Sequence, residues 1–408
     1  MSHLPPSLAR LLTSLCVLAG LAGPVAANDA WTDLGAALAG THGAPTLVGT
    51  GPLVAGTPVS LTAAGLRAQS TAFLVIGLSQ IDAPFFGGTF VPAPDLVLAL
   101  PTGGSVGVPA ALVLADDWPA GVPHGTDIAF QVWVEDPAAP FGYAGSNALR
   151  GSAAQVYDLI ADPFDALLAA AQPPAVSKRL YTTQDFGTQT FVRNPDCWAA
   201  SLDLTGISPW NQAHANTRAG TLVSPRHVVF AQHYPLSTTP GNNAIAFVTA
   251  DDVTVIRHVV AVTYPAVDIG VGLLDADVPA EIGFHSVLPT DWADHMWETL
   301  RLPMLHLDQE EKALVRDMLT LTPTSTYVNH TGPSLMLRSQ FAEVLISGDS
   351  GNPAFLVIDG QAVLMLTHHF ATSGPFYTRW FTQVNAAMTT LGGGHQLTEF
   401  DLDGWLAR

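Results

Sequence analysis

Two cysteines in 408 residues leave nothing for a disulfide framework and exclude a zinc site built from thiolates. Charge is sparse as well: 12% of the residues are charged, with 15 Lys and Arg against 34 Asp and Glu. A net charge of −19 repels phosphate backbones and anionic lipid, so nucleic acid is not an expected partner. Low charge does not mean disorder here, because 48% of the residues are hydrophobic and the length allows two domains with full cores. Glycine (36) and proline (31) are too frequent for a helical protein and fit many short strands joined by turns. Together these features predict a mainly β, acidic, globular chain.

Arg10 precedes an apolar run from Leu11 to Ala22, followed by Pro24 and the small residues Val25-Ala26-Ala27. A basic start, a short apolar stretch and small residues at a cut describe a secretory signal peptide over residues 1–27. The alternative is a membrane anchor, disfavoured by the shortness of the run and by Gly20, Gly23 and Pro24. The mature chain is therefore expected to be secreted or to lie at the exterior of the cell envelope, with no membrane span and Cys197 as its lone thiol.

Residues 28–150 read as one unit. Short β-rich runs (Leu47-Val48, Val59 to Leu61, Phe73 to Ile76, Leu96 to Leu100, Ile128 to Val134) alternate with Gly/Pro clusters, the pattern of a small β-sandwich. The unit holds no recognisable catalytic group. Its aromatic residues Trp31, Phe85, Phe86, Trp133 and Tyr143 either fill the core or form a face for a surface or polysaccharide. Residues 151–177 carry apolar positions at helical spacing, stopped by Pro173-Pro174, and read as a helical connector. Residues 178–408 return to strand-like runs. Exceptions are a turn at Asp308 to Lys312 and a C-terminal helix through Phe381, Val384, Met388 and Leu391, ended by Gly392 to Gly394.

Three segments carry chemistry. Ser347-Gly348-Asp349-Ser350-Gly351-Asn352-Pro353 sets a serine between glycines, an exposed and tightly turned position. Upstream, Gly220 to Ala231 reads as a β-hairpin running into Gln232-His233. Between them, Val267-Asp268-Ile269-Gly270-Val271 places an acid at the head of an apolar strand. Together, in the order His, Asp, Ser, the segments resemble the signature of the chymotrypsin-like serine peptidases over residues 178–408. The resemblance implies a chymotrypsin-like double β-barrel with a C-terminal helix behind the N-terminal β-sandwich. The histidine segment departs from the family's usual Ala-Ala-His-Cys in reading Ala-Gln-His-Tyr. An α/β-hydrolase elbow is excluded because Asn352 stands where Gly is needed, and no His-Glu-x-x-His zinc motif is present.

The resemblance assigns roles. His233 is the general base that takes the proton of the nucleophile Ser350, and Asp268 holds the imidazole in the required tautomer. The amides of Gly348 and Ser350 form the oxyanion hole. The pocket for the side chain before the scissile bond is expected at Val344, Thr367, His368, His369 and Pro375. With Val344 at its base, cleavage after Lys or Arg is disfavoured. The pocket is then either apolar or, because glutamate-cleaving relatives carry a histidine on this strand, selective for an acidic side chain. Lys178-Arg179-Leu180 is either an activating cut site or an exposed linker. The tandem His368-His369, with His395, lacks a carboxylate or cysteine at ligand spacing, so no metal and no cofactor are expected. The expected function is a secreted serine endopeptidase acting on protein or peptide substrates. The alternative is a catalytically silent protein of the same fold that serves as an extracellular binding or envelope module.

Overall fold

A computed structural model describes residues 16–17, 30–185, 187–209, 219–296 and 301–407. The chain is mainly β, with curled half-barrel sheets and a short C-terminal helix. It divides into two compact units, one reaching to Gln155 and including Asp403–Arg408, the other spanning Val156–Leu402. The leader expected at residues 1–27 lies outside the described residues except for Cys16–Val17, whose backbone pairs with Leu114 and Ala115. Among the described residues, no helix is long and apolar enough to cross a membrane.

In the first unit the expected strands form within Thr46–Thr50, Pro58–Leu66, Thr71–Gly77, Leu96–Pro101 and Asp127–Glu135. Thr46–Thr50, Pro58–Leu66 and Ala110–Asp117 share one antiparallel sheet. Asp127–Glu135 sits centrally in a second, between Thr71–Gly77 and Ala148–Ser152. Leu47, Ala63, Leu112 and Leu114 of the first sheet join Leu74, Ile76, Phe130 and Val132 of the second in a common apolar core. The central strand is buried on both faces, because the hairpin Gln80–Phe85/Gly88–Pro92 covers the side away from that core. Gln131, buried within the strand, is satisfied by the hairpin: its Oε1 accepts from Val91 N–H and its Nε2 donates to the carbonyls of Thr89 and Ser146. Of the singled-out aromatics, Phe85, Phe86, Trp133 and Tyr143 gather here with Phe90. Trp31 stands apart against Phe130, its indole N–H on the carbonyl of Gly51.

Beside the two-stranded Tyr181–Asp185/Thr190–Arg193, the second unit carries two larger antiparallel sheets. One runs Thr221–Ser224, His227–Ala231, Ile269–Leu274, Thr254–Ala266, Ala244–Val248. The other runs Gln361–Thr367, Pro353–Ile358, Pro303–Leu307, Ala313–Met318, Tyr327–Thr331, Ser373–Pro375. Pro303–Leu307 and Ala313–Met318 pair across the expected turn at 308–312, and the C-terminal helix spans Phe381–Leu391, closed by Gly392 at φ +88°. Val229, Val271, Leu305, Val315, Phe355 and Leu364 bring both sheets into one core. The segment read as a helical connector does hold a helix, Val156–Ala170, but this helix belongs to the second unit: Phe164 and Leu168 enter the same core. Arg338, fully buried, grips it through a bidentate pair with Asp165 at 2.7 and 2.8 Å.

Gly270 and Gly272 let side chains of the neighbouring strand, Phe230 and Val228, lie close over Ile269–Leu274. Phe230 lies opposite Gly270, and a Cβ on Gly270 would fall 2.3 Å from its ring. Gly270→Ala should therefore lower the unfolding free energy by about 1–3 kcal/mol in urea titrations. Adding Phe230→Leu should recover part of the loss; an equal or greater loss in the double variant would mean that the ring contact is not the cause.

Candidate active site

His227–Ala231 and Ile269–Leu274 are in register with Ala231 opposite Ile269, so the residues just beyond each strand end, Gln232-His233 and Asp268, emerge side by side. Asp268 turns the chain at φ +54°, a left-handed conformation that Asp tolerates better than most residues. Its carbonyl accepts from Gln232 N–H at 3.1 Å, and its carboxylate Oδ1 from His233 N–H at 2.9 Å. The imidazole Nδ1 lies 2.8 and 2.9 Å from the two carboxylate oxygens. An ionised carboxylate only accepts, so Nδ1 carries the proton and Nε2 presents a lone pair. That Nε2 is 2.9 Å from Ser350 Oγ. Asp268 is buried, while His233 faces solvent with 42% of its side chain exposed.

Ser350 is held in a turn with positive φ at Gly348 (+110°) and Gly351 (+89°). A Cβ on Gly348 would lie 2.2 Å from Gln309 Oε1 and push that side chain aside, and the backbone conformation itself disfavours any residue but glycine. Asp349 closes the turn from within, its carboxylate accepting from Ile346 N–H at 2.6 Å and Gln309 N–H at 3.1 Å. Gly351 N–H donates to the His368 carbonyl and His368 N–H to the Asn352 carbonyl. Among the described residues, the amides of Gly348 and Ser350 donate to no protein acceptor. Lys178 is not a loose linker residue: its ammonium pairs with Glu343, which also takes Lys312 at 2.7 Å.

The expected pocket residues divide. Val344 is 84% exposed rather than seated at a closed base. Its neighbour Glu343 is pinned by both lysines and by Arg316, which donates to its carbonyl, and the chain beyond turns outward. Thr367 and Pro375 are buried, the Thr367 hydroxyl 3.1 Å from that of Tyr377. His369 donates its Nδ1–H to Asp268 Oδ2. His368 turns inward to meet two residues that the sequence reading passed over, His306 and His330.

These three imidazoles are each at least 95% buried. His306 Nε2, His330 Nε2 and His368 Nδ1 have no hydrogen-bond partner. Arg316, equally enclosed, donates from Nε to His330 Nδ1 at 3.3 Å and makes no ion pair within the described residues. Burial pushes His330 down to about 3, His368 down to about 4 and His306 well below its ordinary value. The cluster leaves little mark on the sequence: His306 stands alone among apolar residues in Met304–Leu307, but Arg316 has Asp317 beside it and His330 lies between Asn329 and Thr331.

Three groups bring metal-capable atoms within 4.8 Å of one another: His306, His330 and His368; His233, Asp268 and His369; Asp308, Glu310 and Glu343. None has the surroundings of a cation site. The first abuts the Arg316 guanidinium, with His330 accepting where a ligand imidazole would ordinarily donate. In the second, the hydrogen bonds already satisfy the carboxylate, and in the third Lys178 and Lys312 neutralise Glu343 and Glu310 while Asp308 takes the amides of Glu310 and Lys312. In comparisons with protein-family models and with curated proteins, the chain matches none.

The buried imidazoles give stability a direction with pH. His285, lowered to about 4 by burial, joins His306, His330 and His368. In the unfolded chain each protonates near 6.5, in the folded one only well below. Their contribution is complete above about pH 6.5 and is lost as pH falls toward 4. Asp308, raised to about 6 by burial, and Asp349, raised likewise, act the other way, but the four rings, joined by buried His227, outweigh them. Urea unfolding should give a lower free energy at pH 4.5 than at pH 7; a value that rises on acidification would contradict this account.

Proposed function

We propose that the chain is an exported serine endopeptidase, with an N-terminal β-sandwich as accessory module and a chymotrypsin-like double β-barrel as the catalytic domain. The observation that carries the reading is the continuous link from Asp268 through both ring nitrogens of His233 to Ser350 Oγ at 2.9 Å. Along it, Nε2 takes the serine proton as Oγ attacks the peptide carbonyl, then returns it to the leaving amine. The acyl-enzyme is hydrolysed by water through the same base. The positive charge that forms on His233 lies against a buried carboxylate, where it is stabilised more than in water. The Gly348 and Ser350 amides receive the oxyanion. No cofactor takes part. The exposed aromatic group around Phe86 and Phe141 would give the accessory module its contact with a surface or polysaccharide.

Of the two specificities open from sequence, the acidic one is favoured by Arg316. A buried guanidinium whose acceptors are a carbonyl and an imidazole, with unpartnered ring nitrogens of His330 and His368 nearby, lacks an anionic partner. A substrate carboxylate arriving beside His368 would supply it.

A fluorophosphonate should add once, at Ser350, and the adduct should be absent in His233→Ala, with turnover reduced by about 10⁴-fold or more. No adduct in the full chain would favour the silent binding protein. With peptides differing only before the scissile bond, Glu should exceed Gln in kcat/KM by at least about 100-fold. Arg316→Met should narrow that ratio; equal cleavage of Glu and Leu peptides would sink the acidic reading.

A further inference from the structure

Asp268 serves two histidines, not one. Its Oδ1 takes the backbone N–H and Nδ1–H of His233, while Oδ2, 2.9 Å from the same Nδ1, also receives Nδ1–H of His369 from the other sheet. The two rings meet edge to face, with centroids 5.1 Å apart. His369 is fixed by its own N–H on the Ser373 carbonyl at 3.0 Å and has the Tyr327 ring 6.1 Å away. His233 can reach solvent, and so can His369, with 32% of its side chain exposed.

We propose that His369 is a positioning residue that orients the Asp268 carboxylate while neutral and, once protonated, competes with His233 for it, so that acid shuts down the site in two coupled steps. This rests on the peptidase reading for its effect on turnover, but the coupling belongs to the geometry alone. Neutral His369 donates one hydrogen bond and holds the carboxylate plane toward His233. Protonated His369 places a full positive charge on the same carboxylate, and a second cation on His233 then has half the counter-charge it had before. The other groups facing the pair are the buried phenol of Tyr377, with the Thr367 hydroxyl, behind Asp268, and His368 beside His369. Burial holds the phenol and the His368 ring neutral through the range concerned, which leaves His233 and His369 as the competing pair. Asparagine at 369 keeps a donor and cannot charge.

The test is a pH titration of the full chain with ¹³C-labelled histidine, following the ring resonances of His233 and His369, beside the rate of fluorophosphonate addition at each pH. In the wild type, each of the two resonances should bend at both midpoints. In His369→Asn the His233 midpoint should rise by about one pH unit, the size expected for removing a like charge about 5 Å away. The acid limb of the labelling rate should fall from a slope approaching two to a slope of one. Independent single-site curves for the two histidines in the wild type would overturn the proposal without any variant, as would an unmoved His233 midpoint in both His369→Asn and His369→Ser. Coupled titration with no labelling at any pH would keep the shared carboxylate and refute the peptidase reading. Labelling with uncoupled histidines would do the reverse.

Discussion

A carboxylate with 6% of its surface exposed sits at the seam of the second unit, and much of the unit's arrangement answers its need for donors. An ion so placed is tolerable only when its lone pairs are met. Asp268 collects its donors from the segment after His227–Ala231 and from the end of Gln361–Thr367, one in each sheet. The close packing of Phe230 on Gly270 brings the first donor into reach, and the antiparallel pairing that delivers His368 beside the nucleophile turn brings the second. The carboxylate orients a base and also fastens the two sheets at the point where chemistry would occur.

The turn that carries Ser350 solves a different problem. Asp349 is buried beside Asp308, and burial raises both acids. Neither is met by an ammonium in a direct pair; backbone amides do the work, those of Ile346 and Gln309 for Asp349 and those of Glu310 and Lys312 for Asp308. The turn is therefore closed with the chain uncut, and the lysines nearby are committed to Glu343 and Glu310.

Much of this was written locally and some was not. His233, Asp268 and Ser350 each end or begin a recognisable strand or lie between glycines, so short-range pattern was enough to single them out, and their convergence is a matter of strand order. His306, Arg316 and His330 come from three strands and His368 from just beyond a fourth, with no common spacing, and only His306 stands out as a lone polar residue in an apolar run. Only sheet registration shows that they face one another. Counting back from Ser350 put Val344 at a pocket base, but counting ignores how Glu343 is anchored. His369 was read with His368 as pocket wall from the resemblance alone; just past the end of Gln361–Thr367 the two rings part, His368 turning to His306 and His330 and His369 to Asp268. In the first unit the strands were legible from β-rich runs; Ala110–Asp117 was passed over although Ala110–Ala115 is such a run, and the covering hairpin was hidden by the polar residues and glycines that interrupt it.

The helix Val156–Ala170 was legible as a helix and misread as a tether. Arg338 is buried with its guanidinium on Asp165, further held by Asp317 at 3.3 Å, so the helix supplies half of an internal ion pair. The division between the two compact units falls at Gln155 and Val156, well ahead of the Pro173-Pro174 break. A fragment starting at 178 would keep every strand of its unit beyond that point and both sheets intact. It would nevertheless lose the main counter-ion of Arg338 together with the apolar cover that Phe164 and Leu168 give the core, about 1.5–3 kcal/mol for each of those two side chains, a large share of the stability of an ordinary domain.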